Sequence, residues 1–392
     1  MDEKNHFQIL IYPENGEGVI NHALKFIESS PDGLNLEAKQ IPHIDTAIDL
    51  LADGHADMVP VSAKWWFKNR RPEFSASLVL PRREPTRVLV GGDKPEYIPK
   101  NGVIIADCEI VMRQLKRSRN DISVTLDKHL KGIPDDVFDR VQWLEEKRQN
   151  QDIDGYVTTR SLYSSLGSRA RRHTLGLQRE DDTRFRFVPV PLEGYTILLT
   201  RKDFPGSRFS KVIDAGAALS LRIEMTILDS IDENMHDKIG LIVEQRKVRT
   251  ILNDSGNRGR SLGHENPLTE WKTFSVSEDT SGPKDSDPRI DIVLETLSCD
   301  GMVTTSVERI FPIDESHSGA QNLIFSWQQL LMIAREKPEV EKRGRMKQLM
   351  DDYVDDLIQH GRISEDRINT PMFKQSDYCL LYTSDAADDV IS

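Results

Sequence analysis

Residues 54–67, GHADMVPVSAKWWF, decide the fold of this chain. Positions 58–61 are a short apolar run of the kind that forms a buried β-strand, and the polar residues after it predict the first turn of the next element. In open α/β sheets small molecules bind beyond the carboxyl ends of the strands, because backbone amides and short side chains converge there. A ligand is therefore expected to lie at the end of this strand.

Alternating strand and helix patterns precede this stretch. Residues 7–11 and 34–41 have the apolar pattern of strands, and residues 18–28 and 44–52 have the spacing of amphipathic helices. With the strand at 58–61 they make a βαβαβ opening. Such alternation predicts a mainly parallel sheet covered by helices.

The next part of the chain repeats the alternation, with strands predicted at 103–106, 122–126 and 153–158 and helices at 107–119 and 135–150. The first of these helices carries a basic outer face, formed by Arg113, Lys116, Arg117 and Arg119. After residue 200 the pattern is that of a small α+β domain. Its predicted elements are a helix at 212–229, strands at 241–249, 271–276, 290–297 and 302–311, and closing helices at 323–335 and 339–360.

The composition excludes several classes of function. A chain of 392 residues fits two or three domains, and its 52 basic and 64 acidic residues give a net charge of −12, which repels nucleic acid and anionic membranes. No apolar run approaches the roughly 20 residues of a membrane span, and the start MDEKNH is not a signal peptide. We therefore expect a cytoplasmic protein that binds neither nucleic acid nor membranes.

The cysteines and histidines predict neither a disulfide framework nor a metal site. Cys108, Cys299 and Cys379 are widely scattered and form no CxxC pair, and His236 and His264 lack partners at ligand spacing. The last residues, 379–392, are expected to be a sequencing artefact, because CLLYTSDAADD resembles a translated library adapter. We expect the natural sequence to be represented up to about Tyr378.

The stretch GHADMVPVSAKWWF resembles the catalytic motif of the porphobilinogen deaminases (hydroxymethylbilane synthases). That family carries Ala-Asp-Ile-Ala-Val-His-Ser-Met-Lys-Asp-Val-Pro at a catalytic strand end, and Ala56, Asp57, Ser62 and Lys64 keep their places in it. The family's catalytic Asp corresponds to Trp65. Further matches keep the same order over roughly residues 5–312, and Pro191-Leu192-Glu193-Gly194 stands where the family has Val-Gly-Gln-Gly.

The resemblance implies an α/β fold with two periplasmic-binding-protein-like lobes of mixed, mainly parallel sheets, a small α+β third domain and C-terminal helices. Residues 195–200 are expected to return to lobe one and pair with the strand containing Val59. The expected domain limits are 5–95 with 192–215 for lobe one, 96–191 for lobe two, 216–314 for the third domain and 320–376 for the C-terminal helices.

Several family positions carry different residues in this chain. The family holds a dipyrromethane cofactor through a cysteine, and at that spacing after Glu224 this chain has Met235, which has no thiolate to attach it. No cofactor is therefore expected. Trp65 supplies no acid or base, and removing such a group typically costs about 10² to 10⁴ in rate. The family's arginine pair falls on Ile110 and Val111, beside Asp107 and Glu109, whose carboxylates repel a ligand carboxylate at this helix N-terminus.

Four residues match family positions and are predicted to bind the ligand. They are Ser62, Lys64, Lys131 and Arg140. Basic side chains bind carboxylates, and an arginine does so bidentately. The alternative for Lys131 and Arg140 is a solvated surface charge. For Trp65 and Trp66 the alternative to a stacking platform is core packing.

Two functions of different classes follow from these residues. The first is a transferase of the porphobilinogen deaminase family, in tetrapyrrole and heme biosynthesis, that works by altered means. The second is a non-catalytic two-lobed paralogue that binds a small molecule or regulates. The expected partner is a pyrrole or other small carboxylate, with porphobilinogen as the first candidate, and the chain is expected to be a monomer.

Overall fold

The computed structural model describes residues 6–13, 15–29, 34–167, 170–178, 185–257, 286–335, 353 and 358–360. The chain divides into two compact units, Met1–Leu331 and Met332–Ser392, and every described strand belongs to the first. None of the described helices is both long and apolar enough to span a membrane.

The first lobe follows the predicted βαβαβ order. Its elements are β1 His6–Ile11, α1 Val19–Glu28, β2 Asn35–Gln40, α2 Ile44–Ala52, β3 Val59–Ser62, α3 Ala63–Lys68, β4 Phe74–Val79 and the late strand β10 Thr196–Arg201. The strand order is β2-β1-β3-β10-β4. β1 reaches β3 through a single bridge from Ile9 to Met58, just before Pro60, whose nitrogen cannot donate a hydrogen bond.

The second lobe is built from β5 Arg87–Gly91, β6 Val103–Ala106, α4 Glu109–Ser118, β7 Ser123–Leu126, α5 Val137–Gln149, β8 Gly155–Thr159, α6 Arg160–Ser165 and β9 Arg172–Leu175. Its strand order is β7-β6-β8-β5-β9. The central strands are continuous apolar runs, such as VIIA in β6, because helices cover both faces of the sheet.

The two lobes have the same topology. In each sheet one strand, β10 or β5, runs antiparallel to the others, and the chain supplies that strand as it crosses between the lobes. Leu199 in β10 pairs with Val59 in β3, as expected for the returning strand. The first crossing segment is residues 80–86, and the described end of the second is residues 185–195. Two mixed-sheet lobes of the expected periplasmic-binding-protein-like kind are therefore present.

An antiparallel sheet with helices, which we call the third domain, follows the lobes. Its elements are α7 Ala215–Asp229, β11 Ile239–Lys247, α8 Val248–Asn257, β12 Pro288–Leu297, β13 Thr304–Pro312 and α9 Ser316–Arg335. The predicted strand at 241–249 ends at Lys247 and continues as helix, and the predicted helix at 323–335 already begins at Ser316. The predicted strand at 271–276 lies outside the described residues, as does most of the predicted helix at 339–360. The limits of the three domains stay a prediction.

The hairpin of β12 and β13 corrects one sequence-based expectation, that the basic residues of α4 face solvent. Arg113 is buried, and it donates to the backbone oxygen of Leu297 in this hairpin. Arg117 forms an ion pair with the buried Glu295 at 2.7 Å. The face of α4 that looks polar in sequence is therefore a contact between lobe two and the third domain.

Candidate functional site

Residues that follow β1 and β3 in lobe one lie close to residues at the ends of β6 and β8 in lobe two, and we call this region the inter-lobe cleft. The lobes touch at one side of it, where Thr159 donates to the oxygen of Gly16 at 3.3 Å. Gly16 has a φ of +85°, and a Cβ there would lie 2.6 Å from Leu162. Only glycine suits this approach, because its backbone is left-handed and a side chain would collide.

Ser62 ends β3 and caps α3. Its hydroxyl oxygen accepts a hydrogen bond from the Trp65 amide at 3.0 Å, which satisfies one of the free N–H groups at the helix start. Thr159 occupies the matching position in lobe two and accepts from the Leu162 amide at 3.1 Å. The cap fixes the first turn of α3, and this turn carries Lys64 toward the cleft.

Lys64 belongs to a chain of ion pairs that runs across the cleft. Its amine contacts Oε2 of Glu193, which lies in the second crossing segment. The same Oε2 lies 3.1 Å from Nη1 of Arg87, the first residue of β5. Nε of Arg87 in turn lies 2.8 Å from the carboxylate of Asp107, at the end of β6. Two cations and two anions thus join lobe one to lobe two.

The middle of this network is more buried than its ends. The side chains of Arg87 and Glu193 are 8% and 12% exposed, whereas those of Lys64 and Asp107 are 31% and 21% exposed. A charge held away from water is stable only when it is paired, which is why the two buried members contact each other. Solvent in the cleft therefore meets a cation on the lobe-one side and a carboxylate on the lobe-two side.

The protonation of these groups follows from burial and pairing. Burial opposes ionisation of Glu193, but Lys64 and Arg87 outweigh it and lower its pKa to about 2. Burial raises the pKa of Asp107, and Arg87 opposes that rise. Burial, followed by the Asp107 charge, raises the pKa of the neighbouring Cys108 thiol to about 12, so this cysteine is not a nucleophile at neutral pH.

A second buried carboxylate, Glu224 of α7, fixes the backbone that carries Glu193. It accepts hydrogen bonds from the amide of Leu192 at 2.8 Å and from the guanidinium of Arg82 at 2.8 Å. Arg82 also donates to the backbone oxygen of Glu193 at 3.0 Å. The third domain therefore holds the turn from which Glu193 reaches into the cleft.

The structure does not bring the other predicted ligand-binding residues to Lys64. Arg140 donates to Asp127 at 3.3 Å and to the backbone oxygens of Pro134 and Asp135, so these hydrogen bonds brace a loop of lobe two. Lys131 is exposed on the same loop.

The residues at the family's catalytic positions belong to hydrophobic packing. Trp65 and Met235 are half-buried against the large core cluster of lobe one and the third domain, and Trp66 is buried within it. Ile110 and Val111 are buried in the core of lobe two. Glu109, which was expected to add charge to the cleft mouth, forms an ion pair with Arg113 at 2.9 Å. Within the described residues, no three His, Cys, Asp or Glu side chains converge to hold a metal ion.

Sequence reasoning missed Arg87 and Glu193 as functional residues. Each is a charged residue at the edge of an apolar strand, Arg87 as the first residue of RVLVG and Glu193 three residues before the start of TILLTR. A charge at the edge of a buried run needs a partner, and this signal was available in the sequence. The sequence did not show which residue is that partner, because Arg87 and Glu193 lie about a hundred residues apart in the chain.

Comparisons with known proteins give weak structural similarities only. No protein-family model matches the chain, and no curated protein matches its sequence. It is similar in structure to YhfZ from Shigella flexneri, at 14% identity over 58% of this chain and 96% of that chain, with a TM-score of 0.28. The methionine-binding protein MetQ is 13% identical over 56% of this chain and 95% of that chain, with a TM-score of 0.30. The periplasmic aliphatic sulphonate binding protein SsuA from Escherichia coli is 12% identical over 60% of this chain and 72% of that chain, with a TM-score of 0.29. Similarities of this size carry no argument, and the two-lobed fold rests on the strand order.

Proposed function

We propose that this chain is a non-catalytic, two-lobed protein that binds a small carboxylate molecule between its lobes. In this proposal it is a divergent relative of the porphobilinogen deaminases that shares their lobes and lacks their reaction. The observation that carries the proposal is the convergence of Lys64 and Arg87 on one carboxylate oxygen in the cleft. A pair of cations held in a partly dry cleft is a good receptor for a carboxylate, because charge-assisted hydrogen bonds are stronger there than in water.

The residues at the catalytic positions support a binding role over an enzymatic one. Deaminase chemistry in tetrapyrrole synthesis needs a thiolate for the primer and a carboxylate beside the reacting pyrrole. Met235 and Trp65 stand at those two positions, and both pack against the core. Neither side chain can hold or move a proton, so the reaction has no acid, base or nucleophile at these positions.

The two partly exposed charges of the network indicate the class of ligand. Lys64 presents a cation from lobe one and Asp107 a carboxylate from lobe two. A small molecule with a carboxylate and an amine is complementary to both ends of the network. Porphobilinogen, which has an amine and two carboxylates, is the first ligand to test. The cytoplasmic location and the monomeric state stay predictions.

Titration calorimetry with porphobilinogen tests the proposal. We expect binding by the unaltered protein and a loss of affinity of about tenfold or more in Lys64→Ala, since a hydrogen bond to a charged group is worth about 1.5 to 3 kcal/mol. Lys68→Ala is the matched control, because Lys68 is exposed in the last turn of the same helix. Equal affinity in the two variants would contradict the proposal. So would an intact mass that contains a covalent dipyrrole.

A further inference from the structure

We infer that Lys64 and Arg87 form a seat for one carboxylate group, and that Glu193 of this same chain is a tethered competitor for that seat. The inference rests on the proposed function for the kind of ligand that competes. The seat and its occupant are defined by the geometry of the network. A ligand carboxylate then binds by displacing the Glu193 carboxylate, so Glu193 competes with the ligand within the same molecule.

The first argument is the convergence of two cations on one oxygen. Lys64 and Arg87 come from different lobes, yet both contact Oε2 of Glu193. Asp107 pairs with Nε of Arg87 at 2.8 Å, and Nη1 of the same guanidinium lies 3.1 Å from Oε2 of Glu193. Without Glu193 this group of four keeps two cations and a single anion. The seat therefore calls for one negative charge, which a monocarboxylate supplies.

The second argument is the backbone that presents Glu193. Leu192 has a φ of +61° and Gly194 a φ of +84°, so Glu193 stands between two left-handed residues. A Cβ on residue 194 would collide with the backbone oxygen of Arg83, so this position requires glycine. Leucine is strained in the left-handed region, and such strain persists only where the surroundings impose it. Here the buried Leu192 side chain and the hydrogen bond from its amide to Glu224 impose it.

This turn links the occupant of the seat to the passage between the lobes. Glu193 lies in the second crossing segment, three residues before this segment enters the lobe-one sheet at Thr196. When the carboxylate leaves the seat, the ion pairs that join Lys64 to Arg87 are lost with it. A free carboxylate restores the pairing, but it is not part of the chain that connects the two lobes. The occupant of the seat thus decides whether the second crossing segment is tied to Lys64 and Arg87.

Chemical rescue separates a competitor from a fixed structural brace. In Glu193→Ala we expect a lower melting temperature, and we expect sodium acetate to restore part of the loss, with a shift of a few degrees over sodium chloride at equal ionic strength. Lys64→Ala/Glu193→Ala is expected to lose the acetate effect, because the seat has lost one cation. Glu84→Ala is the control, since Glu84 is an exposed carboxylate of the first crossing segment that pairs with Arg160.

The outcomes decide the inference separately from the proposed function. Acetate-specific stabilisation of Glu193→Ala supports the seat whether or not porphobilinogen binds. The inference is wrong if acetate raises the melting temperature of Glu193→Ala no more than chloride does. It is also wrong if acetate stabilises Glu84→Ala or the double variant as much as it stabilises Glu193→Ala. If Glu193→Ala does not fold, Glu193→Gln keeps the side-chain size and removes the charge. Acetate must then stabilise Glu193→Gln more than the unaltered protein, and equal stabilisation refutes the inference.

Discussion

The guanidinium of Arg82 lies over the ring of Tyr195, with Cζ 4.0 Å from the ring centroid, and both side chains donate hydrogen bonds to the same carboxylate oxygen of Glu224. Arg82 belongs to the first crossing segment, Tyr195 to the second and Glu224 to α7. Both passages of the chain between the lobes are therefore tied to the third domain at one buried anion.

Removing that anion is expected to destabilise the protein strongly. Glu224 is fully buried and accepts hydrogen bonds from two side chains and two backbone amides. Glu224→Ala leaves Arg82 as an uncompensated buried cation, so we expect a loss of about 3 to 5 kcal/mol in the free energy of unfolding. Urea denaturation measures this loss. Glu146→Gln, on the exposed face of α5, is the control and should change stability by less than about 0.5 kcal/mol.

The family resemblance predicted the order of the lobes and the return of β10 to β3, features that periodicity alone did not provide. Leu199 pairs with Val59 because the chain crosses back to lobe one, and the apolar run TILLTR fits any buried strand equally well. Arg113 shows the limit of the helical pattern. From the sequence, a basic residue opposite the apolar face of a helix is expected to be exposed to solvent. Arg113 is instead covered by the β12–β13 hairpin, which lies about 180 residues further along the chain.

The ion pair of Arg117 and Glu295 provides a test of this contact between lobe two and the third domain. Their atoms lie 2.7 Å apart, and the Glu295 side chain is 2% exposed. We expect Arg117→Ala and Glu295→Ala each to lower the free energy of unfolding by about 3 kcal/mol, because each leaves its partner buried and unpaired. The double variant should lose less than the sum of the two, since no unpaired charge remains. Additive losses in urea denaturation would show that the pair contributes little.

The positions of Met235 and Trp65 predict that the protein does not convert porphobilinogen to hydroxymethylbilane. Both residues pack against the hydrophobic core and offer no group that attaches a primer or stabilises a reacting pyrrole. Porphyrin absorbance after oxidation should stay at the level of a blank without protein. A known deaminase serves as the positive control. A robust signal that survives Met235→Ala would show that the match of Met235 to the family cysteine is wrong.

The titration of Glu193 predicts how stability depends on pH. Its burial opposes ionisation, but Lys64 and Arg87 outweigh it and lower the folded-state pKa to about 2, below the value of about 4.3 for an unfolded glutamate. A lowered pKa stabilises the folded state above the unfolded value, and this contribution is lost as the pH falls through the folded value.

Glu193→Gln lacks this titration, so it should be less stable than the unaltered protein at neutral pH. Burial raises the pKa of Asp107 in both proteins, and only the part of the rise that the Glu193 charge causes differs between them. The Cys108 thiol, whose pKa is raised by burial to about 12, does not titrate below pH 7. The difference in the free energy of unfolding between the two proteins should therefore shrink as the pH falls from about 4.3 toward 2. Urea denaturation from pH 7 to about pH 3 measures it. A difference that stays constant over that range would mean that Glu193 is not held as an anion by Lys64 and Arg87.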